Sequence, residues 1–175
     1  HEQLIIFSYD KTRKNKRNTI NQLRFEINYE QELFKLYEEI KNKTYKVGKS
    51  IAFIINKPVQ REIFAASFRD RVVHHLIFNY INPILEPQFI QDSYSCRTGK
   101  GTLYGINQAN AYLKSVSDNF TTDAYVLKLD VKGYFMNINK NVLMQKLKNR
   151  TSKETFEALI RTRTLNKIEE DIDYD

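Results

Sequence analysis

The sequence predicts an α+β fold in which helices pack around a short antiparallel sheet. Apolar residues recur at every fourth position from Phe68 to Tyr80, which is the spacing of a buried helix face. A short apolar run at 51–55 ends shortly before Pro58, and a second run follows at 63–65. Two such runs separated by a turn are typical of a β-hairpin. The two patterns together indicate both element types in one chain.

The first part of the chain combines a basic cluster with an amphipathic helix. Five cations lie between residues 11 and 17, where they form either a flexible arm or a helix face that contacts phosphates. Apolar residues between positions 33 and 40 have helical spacing, so we expect a helix that ends near Asn42. We expect Glu38 and Glu39 to face solvent on this helix.

The predicted hairpin leads into the clearest amphipathic helix of the chain. Lys57 and Arg61 bracket the turn of the hairpin. Ser67 precedes Asp70 by three residues, which is the spacing of a capping box, so the helix should begin there. Pro83 should kink or end the helix, because its ring clashes with the carbonyl four residues earlier.

The remaining elements follow from shorter patterns. They are a glycine-rich loop at 93–105, a helix from 103 to 116, a strand at 125–131 and short helices at 142–147 and 156–160. The strand is inferred from alternating apolar residues, and Gly133 ends it. The acidic segment from Glu169 to Asp175 is expected to fray.

Composition narrows the class of protein. The chain has 175 residues, of which 41% are hydrophobic and 28% are charged, so wholesale disorder and collagen-like repeats are excluded. We expect no transmembrane helix, because no apolar stretch approaches about 18 residues, and no signal peptide, because no short apolar core follows a basic start. Cys96 is the single cysteine, which excludes an internal disulfide and suits a reducing compartment. We therefore expect a cytoplasmic protein.

The charge balance favours a polyanionic partner. Lys and Arg total 28 against 21 Asp and Glu, which gives a net charge of +7. Five of the acids lie in the last seven residues, so the rest of the chain carries +12. A strongly basic chain is typical of a nucleic-acid-binding protein. A lysine-rich soluble surface explains the same charge equally well.

Two short motifs have both a chemical and a structural interpretation. Asp130 follows the predicted strand, where a carboxylate can hold a divalent cation together with the backbone carbonyl of Val131. Capping of the following turn is the simpler explanation, and spacing alone favours it. The glycine turn at 97–102 opens a helix and could contact phosphate, but it lacks the Walker pattern because Tyr94 replaces the first glycine.

Five blocks follow one another along the chain: Lys57-Pro58, Arg61 to Ala66, Phe68 to His75, Asp92 to Thr102 and Leu129 to Phe135. Their order and separations resemble those of the fingers and first palm block of a reverse transcriptase. The resemblance is closest to reverse transcriptases of diversity-generating retroelements. The enzymes of group II introns and the CRISPR-associated reverse transcriptases are near relatives. The similarity extends over residues 5–150.

The resemblance implies roles for individual residues of a nucleotide site. Asp130 resembles the first of three catalytic aspartates and would bind both Mg²⁺ ions, and Val131 would give its carbonyl to one of them. Phe135 resembles the steric gate that crowds a ribose 2′-hydroxyl. Lys57 and Arg61 resemble the fingers pair that grips the incoming deoxynucleoside triphosphate (dNTP).

The resemblance also implies partners. Four cations resemble residues near the template backbone or structural carboxylates: Arg69, Arg71, Arg97 and Lys100. Asp70 is expected to cap its helix and to pair with an arginine. The implied activity is that of an RNA-directed DNA polymerase, which binds an RNA template and an RNA–DNA duplex. A small basic accessory protein of the retroelement is a further expected partner.

Two departures from the family pattern define the expected extent of the chain. Met136 stands where an aspartate often follows the gate aromatic, and no Tyr-x-Asp-Asp block occurs. We therefore expect an N-terminal fragment that is inactive alone, with fingers at 1–120 and the start of the palm at 121–175. Part of its palm-facing apolar surface should be exposed. Two alternatives remain: a nucleic-acid-binding module without chemistry, and a defence-type homologue that synthesises DNA without a coded template.

Overall fold

A computed structural model describes residues 2–14, 19–58, 60–134, 137–154 and 172–174. These residues form an α+β fold, as predicted. The described helices are α1 (Glu2–Lys14), α2 (Ile20–Glu26), α3 (Tyr29–Lys41), α4 (Phe68–Leu85), α5 (Thr102–Val116) and α6 (Lys140–Arg150). The described strands are β1 (Ser50–Ile55), β2 (Arg61–Ala65) and β3 (Ile172–Tyr174). Within these ranges, no helix is long and apolar enough to span a membrane.

The chain divides into two compact units. The first comprises His1–Pro83 and Lys140–Asp175, and the second comprises Ile84–Asn139. This division differs from the boundary between residues 120 and 121, which rests on the family resemblance and stays a prediction.

The hydrophobic core of the first unit forms where α1, α2 and α3 pack with α4. Phe68, Val72 and Leu76 are buried along one face of α4, which confirms the amphipathic pattern. Leu36 of α3 is fully buried in the same cluster. Burial of a side chain of this kind contributes roughly 1.5–3 kcal/mol. The recurrence of apolar residues along α4 therefore accounts for much of the core.

The end of α4 follows from its proline. Pro83 lies inside the helix, and the helix ends two residues later at Leu85. Because the proline lacks an N–H donor, one helical hydrogen bond is lost at this point. A single 3-10 turn at Glu86–Gln88 continues the chain.

The predicted hairpin is confirmed, and a third strand extends it. β1 and β2 pair antiparallel from Ile51 opposite Ala65 to Ile55 opposite Arg61. β3 pairs parallel with β1, so the expectation that the acidic segment frays is wrong for 172–174. The open edge of β1 provides donors and acceptors that this segment can satisfy.

The strand predicted at 125–131 does not form. The segment has no ladder partner among the described strands, and Tyr125 and Leu129 are 94% and 81% exposed. Alternation marks a face that can be buried, but a strand also needs a neighbour to bond its backbone. The alternating pattern therefore predicted the wrong local structure. The apolar side chains of this segment are exposed, in line with the expectation that part of the apolar surface stays uncovered.

The other helices agree with their patterns. α5 covers the helix predicted at 103–116, and α6 covers that predicted at 142–147. Lys11, Arg13 and Lys14 lie in the last turn of α1, so this part of the basic cluster belongs to a helix. The remaining cations of that cluster and the helix predicted at 156–160 lie outside the described residues.

Candidate functional site

The tip of the β1–β2 hairpin presents a cation to solvent. Lys57 is exposed in the turn that follows β1. Arg61 begins β2, where its backbone is paired with Ile55, and its side chain lies outside the described part of the chain. The hairpin thus places the two predicted dNTP-binding residues at either end of one short turn. A solvent-exposed ammonium at such a tip can meet a phosphate.

The base of the hairpin is fixed by the buried carboxylate of Asp70. Asp70 is 1% exposed and accepts the hydroxyl of Tyr45 at 2.5 Å. It also accepts the backbone N–H of Gly48 at 3.0 Å and the hydroxyl of Ser67 at 2.8 Å. The Ser67 hydroxyl in turn accepts the N–H of Asp70 at 3.1 Å, which confirms the predicted helix cap.

The carboxylate of Asp70 therefore joins the start of α4 to the segment that leads into β1. The expected pairing of Asp70 with an arginine is wrong, because neutral donors occupy both carboxylate oxygens. Burial, followed by the hydrogen bond to Asp70, raises the pKa of Tyr45 well above its usual value. Tyr45 is itself fully buried, so the site keeps a protonated hydroxyl beside the carboxylate.

Arg69 is held away from bulk solvent by an acidic partner. Its guanidinium pairs with Glu39 of α3 and lies over the ring of Tyr45, 5.2 Å from the ring centroid. Glu39 is therefore half-buried and paired, which corrects the expectation that it faces solvent. Arg71 is half-buried, two residues further along α4, and its side chain makes no hydrogen bond or ion pair with the described residues. Of these two arginines, Arg71 is the better placed to meet a phosphate.

In the second unit, Arg97 holds its own loop together. Its Nε donates to Glu86 at 2.7 Å, and its Nη1 donates to the carbonyls of Ile90 and Ser93 at 2.9 and 3.1 Å. The guanidinium also lies over the ring of Phe89. These partners occupy the guanidinium of Arg97 within its own loop, and its expected place near nucleic acid stays a prediction.

Lys100 and a tyrosine cluster complete that loop. Lys100 donates to the carbonyl of Gln91 and lies over the ring of Tyr94. Asp92 accepts the hydroxyls of Tyr94 at 2.5 Å and Tyr112 at 2.9 Å. These two hydrogen bonds lower the pKa of Asp92. The glycine turn is thus bonded to its own loop through Lys100, and that loop is bonded to α5 through Asp92 and Tyr112.

Asp130 lies in the second unit on the exposed segment that lacks strand pairing. It makes no ion pair with any described residue, and Val131 is 66% exposed beside it. The turn after it uses Gly133 with φ of 61°, a conformation that favours glycine. Phe135 lies outside the described residues, so its predicted role as a gate stays a prediction.

The residues present supply only part of a magnesium site. Asp130 and the carbonyl of Val131 could provide two oxygen ligands of the type that Mg²⁺ prefers. Within the described ranges, no group of three His, Cys, Asp or Glu side chains could hold a metal ion. A metal pair at Asp130 would need further carboxylates, so this stretch alone does not fit the two-metal requirement.

Sequence reasoning missed two features of the site. Tyr45 has no periodic signal, and only the Ser67–Asp70 spacing pointed to the network that it enters. The tyrosines around Asp92 lie on a loop and on α5, so no local spacing relates them. Such pairs are brought together by tertiary structure alone.

No protein-family model and no curated protein matches this chain. The assignment of function therefore depends on the residues and their arrangement.

Proposed function

We propose that this sequence belongs to an RNA-directed DNA polymerase and comprises its fingers and the start of its palm. The enzyme would extend a primer on an RNA template with dNTPs and Mg²⁺. Lys57 and Arg61 would bind the triphosphate, Asp130 and Val131 would hold metal, and Phe135 would select the sugar. A small basic accessory protein of a retroelement is part of the same proposal.

The observation that carries the proposal is the hairpin with a cation at its tip. The turn between β1 and β2 presents Lys57, and Arg61 follows at the start of β2. The base of the hairpin is tied to the start of α4 through Asp70. A buried anchor of this kind limits the motion of the tip, and positioned cations stabilise the charge that develops on a transferring phosphoryl group. The ordered sequence blocks support the same function.

The decisive test is primer extension by the full-length polymerase on an RNA template. Asp130→Ala should lower nucleotide addition by about a thousandfold or more, because one shared ligand of the metal pair is lost. Template affinity should stay within twofold of the parent. Asp123→Ala is the matched control, since Asp123 is an exposed carboxylate of the same segment. A variant that keeps a tenth of the parental activity would show that Asp130 is structural.

A non-catalytic nucleic-acid-binding module is the second candidate, and the charge distribution favours it. Residues 1–83 contain fifteen basic and nine acidic residues, whereas residues 84–139 contain five of each. We expect the chain to bind RNA and RNA–DNA duplexes with little sequence preference. Contacts to about five phosphates would give a log–log salt slope of about −3.5 to −4.5. An affinity that is unchanged between low and moderate salt would contradict this candidate.

A further inference from the structure

Helix α4 has a basic and aromatic face on the side opposite its core contacts. Arg71, His74, His75 and Phe78 follow the spacing i, i+3, i+4, i+7, which places them on one side of the helix. The apolar residues that α4 contributes to the core lie on the other side. His74 and Phe78 are exposed, and Arg71 and His75 are half-buried. These four residues form the outer face of α4.

The basic groups of the outer face have no acidic counterpart within α4, all of whose residues the structure describes. Asp70 is the single acid of this helix, and its buried carboxylate is occupied by neutral donors. The side chains of Arg71, His74 and His75 make no hydrogen bond or ion pair with the described residues. These groups are therefore available to an anionic partner.

Helix α1 adds a cation and a second ring beside the outer face. Asn79 Nδ2 donates to Ser8 Oγ at 3.0 Å, so the two helices meet next to Phe7 and Phe78, the sequence neighbours of this pair. Lys11 Nζ lies 5.1 Å from the centroid of the Phe7 ring. Phe7 and Phe78 are 46% and 50% exposed. Both rings thus present accessible surface among basic groups.

The acid of α1 that is nearest in sequence to these groups acts elsewhere. The charge of Asp10 acts on Arg13 and Tyr29. Tyr29 stacks on Tyr9, a ring of the core that α1 shares with α2 and α4. Neither histidine of the outer face responds to Asp10.

The two histidines can change charge close to neutral pH. Desolvation by the surrounding side chains lowers the pKa of both imidazoles. At His74 the carboxylate of Asp70 opposes this lowering of the pKa, while His75 and Arg71 add to it. At His75 the ammonium of Lys11 adds to it. Both rings are therefore mostly neutral at pH 7, and an adjacent phosphate would favour their protonated forms.

We propose that the outer face of α4, together with Phe7 and Lys11, binds single-stranded nucleic acid with uptake of protons by His74 and His75. Phosphates would lie at the basic groups, and the protons would come from the solvent. Unpaired bases would stack on the two exposed rings, which a duplex does not allow. The proposal rests on the nucleic-acid binding that we expect of either candidate function. It adds the binding surface and a dependence on pH.

The test is fluorescence anisotropy of a labelled oligouridylate, about 12 nucleotides long, titrated with the chain in EDTA. Lowering the pH from 8 to 6 should tighten binding about tenfold, because each protonated imidazole can donate a charge-assisted hydrogen bond to phosphate. The log–log salt slope should steepen by about 1.4, or about 0.7 for each added contact. The double variant His74→Gln, His75→Gln should lose both changes. His1→Gln is the matched control, since His1 is the remaining histidine.

Two further variants separate the contributions to binding. His74→Gln alone changes an exposed side chain, so it should keep the fold and lose about half of the change in log affinity. Arg71→Gln should weaken binding about tenfold at both pH values, because the arginine stays charged. Lys35→Gln is its control, as an exposed cation of α3.

Three results would overturn the proposal. The first is a parent whose affinity does not change between pH 8 and 6, or a pH dependence that survives in both histidine variants. The second is equal affinity for an RNA duplex, because the rings would then contribute nothing. The third is tighter binding to phosphatidylserine vesicles, which would assign the face to a membrane. In each case, retained oligouridylate binding leaves the nucleic-acid-binding function intact, whereas loss of all binding contradicts that function as well.

Discussion

Each of the two units contains an aspartate that accepts a tyrosine hydroxyl at 2.5 Å. In the first unit Asp70 accepts from Tyr45, and in the second Asp92 accepts from Tyr94. Asp70 is 1% exposed, whereas Asp92 is exposed. The same hydrogen bond therefore has different consequences. Water can replace a lost partner at Asp92, but at Asp70 it cannot reach the fully buried hydroxyl of Tyr45 that would be left unpaired.

The contrast extends to the whole of each unit. The buried hydrophobic core belongs to the first unit. In the described part of the second unit, Ser117 is the single buried residue. The excess of basic over acidic residues also lies in the first unit, within residues 1–83. We infer that burial concentrates stability in the first unit, while the second depends on exposed hydrogen bonds.

Replacing each of the two aspartates in turn should give the largest difference in stability between the units. Asp70→Ala leaves the fully buried hydroxyl of Tyr45 without its acceptor and removes the acceptor shared by Gly48 and Ser67, so the free energy of unfolding should fall by about 3 kcal/mol. Asp92→Ala should leave it almost unchanged, because solvent reaches its partners. Urea unfolding followed by circular dichroism measures both. Equal losses in the two variants would mean that burial does not distinguish these sites.

The pH dependence of stability at alkaline pH compares Tyr45 with Tyr94. The pKa of Tyr45 is raised, so above about pH 10 the folded state keeps a proton that the unfolded state releases. Stability should then fall with rising pH by about 1.4 kcal/mol per pH unit for this group. The hydrogen bond to Asp92 raises the pKa of Tyr94 as well, but that pair is exposed and solvent weakens its effect on stability, so Tyr45→Phe should flatten the dependence more than Tyr94→Phe does. If the two variants have the same slope between pH 10 and 11.5, the burial of Tyr45 is not the cause.

The sequence predicted those elements whose signal is local. The four-residue spacing along α4, the interrupted run at Pro58 and the Ser67–Asp70 cap each specify structure through neighbours in sequence. The segment at 125–131 shows the limit, because alternation specifies a face but not the strand beside it. The cations show another limit. Arg69 was expected near the template backbone or a structural carboxylate, and its partner Glu39, 30 residues earlier in the chain, is one that no local spacing indicates.

The most local change in stability concerns Arg97. Its side chain is 11% exposed and bonds three parts of the loop at 86–97. Arg97→Ala should lower the free energy of unfolding of that loop by about 1–2 kcal/mol. The loss is this small because Glu86 and the two carbonyls can bond water instead. Limited proteolysis should show faster cleavage at 86–100 and unchanged cleavage within α4. The matched Lys114→Ala, an exposed cation on α5, should change neither. Accelerated cleavage of α4 would show that the effect is not confined to the loop.

Hydrogen exchange by mass spectrometry on the intact chain tests the central contrast most directly. We predict strong protection of the amides at 68–76, where α4 packs in the core of the first unit. The amides at 123–131 should exchange close to the rates of an unstructured peptide, because no described strand bonds them. Protection at 123–131 equal to that of α4 would show that this segment is a paired strand and would contradict the account.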